Sequence, residues 1–254
     1  MTPVDLWAPL TVEPHSCTRW TAGPVSLWVA RGPGEWRIGS VLGPDPLATE
    51  YDVEHGVELP EDLQTIRFAA AGADTLRLAP LLADRSVVAR PETTLCVTDT
   101  AVLFVTTPMW VEICLTSGTR LTEIPTWRPS DTWFGPAPTT GVLAYASRTR
   151  GRTTPGQLVI SPVRAITRIE IRDDAPTPLA IERINLPVPE LALYSDKGRL
   201  WTTSLRLHRR SDGDSADLQL VPGPPTDCPD ATPVARPRIA APTGLRRALS
   251  ALIG

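Results

Sequence analysis

Arg206, His208 and Arg210 occupy alternate positions near the end of the stretch GRLWTTSLRLHRR, residues 198–210. Alternate residues of a strand project from one face. Two guanidiniums and an imidazole in such a row could hold a phosphate or carboxylate through charge-assisted hydrogen bonds. The competing readings are pairing with an acidic segment of the same chain, or simple solvation. A second constellation lies in EIPTWRPSDTWFG, residues 123–135, which places Trp127, Asp131, Trp133 and Phe134 among two prolines. Rigid exposed indoles beside a carboxylate would stack on the flat apolar face of a sugar or base. The same rings turned inward would plug the open end of a β-sandwich.

Elsewhere the residue types occur without the spacing that chemistry needs. Asp52, Glu54 and His55 fall together in EYDVEHG, residues 50–56, and could grip a divalent ion or hold a general base. No second histidine stands near them, whereas zinc and iron sites draw on more nitrogen or sulfur. A solvated acidic loop is the simpler reading. DGDSAD, residues 212–217, lacks the full calcium-loop pattern and its distal glutamate, and reads as a turn. There is no G-x-S-x-G elbow and neither common glycine-rich phosphate loop. Cys17, Cys96, Cys114 and Cys228 show no metal-ligand spacing. The sequence therefore predicts no catalytic residue, no metal and no cofactor.

Formal net charge is −3 and the isoelectric point about 5.7, which speaks against nucleic acid as a partner, because such binders present a basic face. Lys197 is the single lysine among the 25 basic residues, a bias that accompanies abundant alanine and proline and carries no function by itself. No stretch approaches the ~20 apolar residues of a membrane span. The opening MTPVDLWAPLTVEPHSC has neither the basic start nor the apolar run of a secretory signal. The expectation is a soluble, cytoplasmic protein.

Strands must position these side chains. Short runs of Val, Ile, Leu, Thr and Trp recur between glycines and prolines at intervals of about 8–12 residues, as in β-sandwiches and barrels. The 28 prolines suit turns and strand edges and disfavour helix. VSLWVA (25–30) and EWRIGSV (35–41) suggest a hairpin about Pro33 and Gly34. WVEICLTSGTRLTEI (110–124) suggests another about Ser117 and Gly118, preceded by TLCVT (94–98) and AVLFVTT (101–107) in a meander. In AITRIEIR (165–172), Ile169 and Ile171 face one way and Arg168, Glu170 and Arg172 the other, with LAIERINLP expected to return beside it. In residues 198–210, Trp201, Thr203, Leu205 and Leu207 share the face opposite the basic row. Residues 45–62 hold Asp45, Glu50, Asp52, Glu54, Glu58, Glu61 and Asp62 with no Lys or Arg.

The fold expected is all-β: an antiparallel β-sandwich, or two small packed β-sandwich modules, with a short C-terminal helix. The divisions are an N-terminal β domain over 1–150, a β block over 151–221, a Pro-rich tail over 222–242 and an amphipathic helix over 243–254. Thr243 could cap that helix, and Leu245, Leu249 and Leu252 fall on one helical face, where a protein partner or a second copy could dock.

RPETTLCVTDTAVLFVTTPMWVEI, LTEIPTWRPSDTWFG and IEIRDDAPTPLAIERINLPVP resemble a family of uncharacterised prokaryotic proteins carrying a domain of unknown function, over roughly residues 80–220. That resemblance implies a prokaryotic protein and supplies no activity or site residue. The functional expectation is a non-enzymatic protein-interaction module using a sheet edge, the 127–134 loop or the tail. The alternative is a β-domain that binds or hydrolyses a carbohydrate or other small molecule through the 127–134 aromatic loop.

Overall fold

The computed structural model describes residues 6–69, 75–135, 141–212, 215–240 and 246–249. From the N-terminus the strands are β1 (Leu10–Thr11), β2 (Cys17–Ala22), β3 (Val25–Gly32), β4 (Glu35–Leu42), β5 (Tyr51–His55), β6 (Thr65–Ala69) and β7 (Thr75–Leu82). Next come β8 (Val87–Pro91), β9 (Leu95–Val97), β10 (Thr100–Leu115), β11 (Arg120–Pro125), β12 (Asp131–Phe134), β13 (Val142–Gly151) and β14 (Arg164–Asp173). The last are β15 (Leu179–Ile181), β16 (Ile184–Leu186), β17 (Leu193–Asp196), β18 (Arg199–Thr202), β19 (Ser204–Arg209), β20 (Ser215–Val221), β21 (Thr232–Ala235) and β22 (Arg246–Leu249). The protein is all-β, with no α-helix among the described residues.

Contacts divide the chain into two units. The first comprises Met1–Leu81, Met109–Trp127 and Ser161–Val163. Its main sheet is antiparallel in the order β5-β2-β3-β4-β6. The β3–β4 hairpin turns where expected: Gly32 pairs with Glu35, and Gly34 takes the positive φ of 68° that a tight turn requires. The core buries Trp20, Leu27, Val29, Trp36 and Ile38 from this sheet with Leu76, Leu78, Val111 and Ile113 from β7 and β10. Trp20 reaches its partner despite burial, its indole N–H donating to the Leu6 carbonyl at 3.0 Å.

The second unit comprises Leu82–Pro108, Arg128–Ile160 and Arg164–Gly254. Within it β14 pairs along one edge with β10 and along the other with β18 and then β19; β18 continues to β17, and β19 to β20. A four-stranded sheet runs β12-β13-β8-β16, and β9 pairs with β15 in a two-stranded sheet.

Several expectations are corrected. The sheets are not purely antiparallel: β14 runs parallel to both β18 and β19, and β13 parallel to β8. Parallel partners need a long crossover, and the chain between β14 and β18 supplies one that carries β15, β16 and β17. LAIERINLP therefore does not return beside β14; β15 pairs with β9 and β16 with β8. The expected meander merges instead, because AVLFVTT and WVEICL are one 16-residue strand, β10. Residues 100–108 of it pair with β14, and residues 110–114 with β11. Pro108, which has no N–H to give a ladder, stands where the partner changes.

The helix expected over 243–254 does not form. Residues 246–249 are strand β22, paired antiparallel with β20 in the register Ser215 to Leu249 and Leu218 to Arg246. A lone helix of about ten residues is marginal in water, whereas an open strand edge offers ready backbone partners. Leu245 and Leu252 lie outside the described residues, and the helical face on which the docking expectation rested does not exist.

Candidate functional site

Alternation on β14 and β19 buries Ile169, Ile171, Leu205 and Leu207 and turns the polar residues between them outward. The parallel register then aligns the two polar rows: Glu170 stands beside Arg206, and Arg172 beside His208. On the far side of β19, Arg206 faces Gln219 and His208 faces Asp217 of β20. These side chains share one face of the sheet. They line a concavity of about 780 Å³ whose walls include Arg168, Glu170, Arg172, Arg206, His208 and Arg210. All three residues of the basic row meet there, together with two arginines from the neighbouring strand.

These basic side chains are held by carboxylates of the same unit. Arg206 closes its fork on one Glu170 oxygen, Nε at 3.0 Å and Nη2 at 2.9 Å. Arg168 also pairs with Glu170, and its Nε lies 2.8 Å from Asp227. Arg172 Nε donates to Asp174 at 2.9 Å, and His208 Nε2 stands 2.6 Å from the other Asp174 oxygen. Arg210 sits 3.5 Å from Asp217. Partial burial pushes the Glu170 carboxyl up, but hydrogen bonds from Arg168 and Arg206 together outweigh it and leave it below the usual range. The Arg172 guanidinium, with His208 behind it, lowers Asp174 likewise. Both acids are thus firmly ionised at neutral pH, and the groove is a lattice of alternating charge in which Arg168, Arg172, Arg206 and Arg210 are matched by Asp227, Asp174, Glu170 and Asp217.

This arrangement offers charged donors and acceptors to an incoming ion. No group of three or more His, Cys, Asp or Glu side chains among the described residues could hold a metal ion. Each guanidinium has five donors, so an incoming carboxylate can be accepted at the edges its present partner leaves.

The 127–134 stretch is placed differently. Trp127 belongs to the first unit and is half-buried. Asp131, Trp133 and Phe134 lie on β12 in the second unit. Phe134 is turned inward against Val88 and Ala144, with the Arg183 guanidinium 5.4 Å from its ring. Trp133 is 41% exposed and pairs across the strands with Leu143, itself 49% exposed. Asp131 shares the Trp133 face by alternation and is held by Arg85 at 3.3 Å and Arg128 at 3.6 Å. Those two arginines also flank the buried Tyr145 ring, at 5.5 and 5.7 Å, while its hydroxyl donates to Asp84 at 3.0 Å. Trp133 and Asp131 are brought together, then, and Phe134 is not.

Sequence reasoning missed the partnership of Arg168 and Arg172 with the basic row, because parallel pairing leaves no local sign. It also missed Arg209, which alternation sends inward from between His208 and Arg210 to a buried ion pair with Asp173.

The chain matches the family described as protein of unknown function (DUF432) over residues 6–252, nearly its whole length, and belongs to that family. Comparison with curated proteins and with solved structures gives no match.

Proposed function

We propose that this DUF432 chain is a non-enzymatic protein-interaction module whose binding surface is the arginine-lined groove of β14, β19 and β20. Its partner is a protein presenting an extended acidic segment. The observation that carries this reading is the repeat of the basic side chains. Arg206, His208 and Arg210 recur every second residue along one strand, beside Arg168 and Arg172 on the next. Two residues of strand advance about 6.6–6.8 Å. An extended peptide with acids at alternate positions advances by the same step, so its carboxylates stay in register with the groove.

Nucleic acid fits less well. Glu170 and Asp217 would oppose a continuous phosphate backbone, and the described residues lining the groove include no Phe, Tyr or Trp on which a base could stack. Exchange of carboxylates suits the energetics, since exposed ion pairs are worth only about 0–1 kcal/mol each. Giving one up for a partner's is nearly neutral, and complementarity then sets specificity and association rate more than raw affinity. A fluorescently labelled poly-glutamate peptide should bind at low salt and release as salt rises. Arg206→Ala combined with Arg210→Ala should weaken it by about tenfold or more, equivalent to ~1.4 kcal/mol. Undiminished binding by the double variant would remove the groove from the account.

A second reading rests on Trp133. Exposed beside Asp131, it could stack on a carbohydrate or other small apolar ligand. Binding is favoured over hydrolysis, because Asp131 is already engaged by Arg85 and Arg128. A glycan that shields the protein's indole emission from acrylamide should lose that effect in Trp133→Ala; shielding that persists in the variant excludes this surface.

A further inference from the structure

Building on that reading of the groove, we infer that its occupant is the acidic edge of a second copy of this chain. Strand β5 is an outermost strand of the first unit's main sheet. Glu50, just before it, and Asp52 and Glu54 within it fall at alternate positions, the spacing of Arg206, His208 and Arg210 in the groove. Glu50 and Asp52 are exposed, whereas Glu54 is half-buried beside Arg19. The field extends into the following loop through exposed Glu58, Glu61 and Asp62, and no Lys or Arg interrupts residues 45–62.

Each chain therefore carries one acidic strand edge and one groove lined by four arginines. Copies supply the two in equal number, each groove receiving the Glu50–Asp52 edge of its neighbour. Each contact joins two different patches: two of them related by a twofold axis close a dimer, and other rotations give a larger ring or an open head-to-tail chain. One strand lying in one groove is a small interface, near the low end of specific contacts, so the association is weak and salt-sensitive.

Sedimentation velocity across a concentration series tests this. At about 0.05 M salt, where screening reaches beyond ~10 Å, mass should rise with concentration; at about 0.5 M it should fall to the monomer. Glu50→Arg with Asp52→Arg should be monomeric, since its reversed edge is repelled by its own kind's groove. Arg206→Glu with Arg210→Glu should be monomeric for the mirror reason. An equimolar mixture of the two should associate, because the second variant's acidic edge fits the first variant's intact groove, and a misfolded variant could not restore it. Added poly-glutamate should dissolve the wild-type assembly. A wild type monomeric at every concentration, association indifferent to both variants, or a mixture that stays monomeric would each overturn the inference. If wild type binds poly-glutamate yet never self-associates, only the identity of the occupant is wrong. If it binds none, the groove reading falls as well.

Discussion

Arg209 and Asp173 form an enclosed ion pair, with side chains 4% and 0% exposed. Arg209 offers Nε at 2.7 Å and Nη2 at 2.8 Å to the two carboxylate oxygens and donates further to the Thr177 carbonyl. Asp173 also accepts the Ala175 N–H at 3.2 Å. Burial pushes the Asp173 carboxyl up, but the Arg209 fork and the backbone N–H outweigh it and hold the group below its ordinary value. A lowered native value means the stabilisation is complete above the unfolded range near pH ~4 and disappears as pH falls through the native one. Asp173→Asn should therefore cost about 3–5 kcal/mol at neutral pH, because it strands a buried guanidinium. It should also flatten the acid side of the stability profile measured by urea melts; a variant with wild-type midpoint at pH 7 would refute this role. Burial here follows from period-two alternation, which was legible for Arg206, His208 and Arg210. Arg209 was not legible because a basic run looks uniform until the strand's inner face is known. Arg164 is hidden in the same way. It is buried, pushed down to about 10 by that burial, and held by neutral acceptors: the Thr106 hydroxyl and carbonyl and the Thr149 hydroxyl.

At the scale of elements, the sequence announced strands but not their partners. Alternation and turn glycines were enough for the β3–β4 and β10–β11 hairpins, because a hairpin's register is fixed by the residues between its arms. They were not enough for β14 against β19, where the partner lies more than thirty positions away in sequence, or for β10, whose residues 103–111 are buried on both faces and so show no alternation. The run 198–210 looked like one strand, yet it breaks at Thr203, whose N–H goes to the Ala192 carbonyl at 3.0 Å. Gly39 shows a packing constraint that alternation also conceals. On β4 it pairs with Trp28 of β3, and a Cβ there would stand 2.8 Å from the Gln64 carbonyl oxygen and 2.9 Å from the Leu63 side chain. The loop before β6 thus presses directly on the backbone of β4. Gly39→Ala should destabilise by about 1–3 kcal/mol, the usual cost of overfilling a packed contact. Thermal melts should show it, whereas Gly34→Asn, at an open turn with positive φ, should change far less. Equal shifts for the two would refute the contact.

For the whole molecule, the decisive property is that neither unit is a contiguous piece of chain. The polypeptide changes unit after Leu81, Pro108, Trp127, Ile160 and Val163. A division at about residue 150 looks natural in the sequence, since residues 145–157 are polar and rich in turn formers. In the structure β13, Val142–Gly151, runs into that stretch and past residue 150. Cutting there removes Val163 from the core of the first unit and the Ser161 hydroxyl that reaches the Ala48 carbonyl at 3.3 Å. It also removes β14, along which residues 100–108 of β10 pair, and so leaves a long apolar strand with an unpaired edge. A fragment of residues 1–150 should therefore lack a cooperative melt and aggregate. Rejoining it with a separate 151–254 fragment should recover native-like near-ultraviolet dichroism, because each piece carries strands the other needs. A 1–150 fragment that melts cooperatively by itself would refute the interleaving. Contacts of this kind are long in sequence, and their closure entropy is only compensated once distant strands meet. The arginine groove is subject to the same condition: half of it is on β14 and half on β19, so it exists only when the second unit has closed.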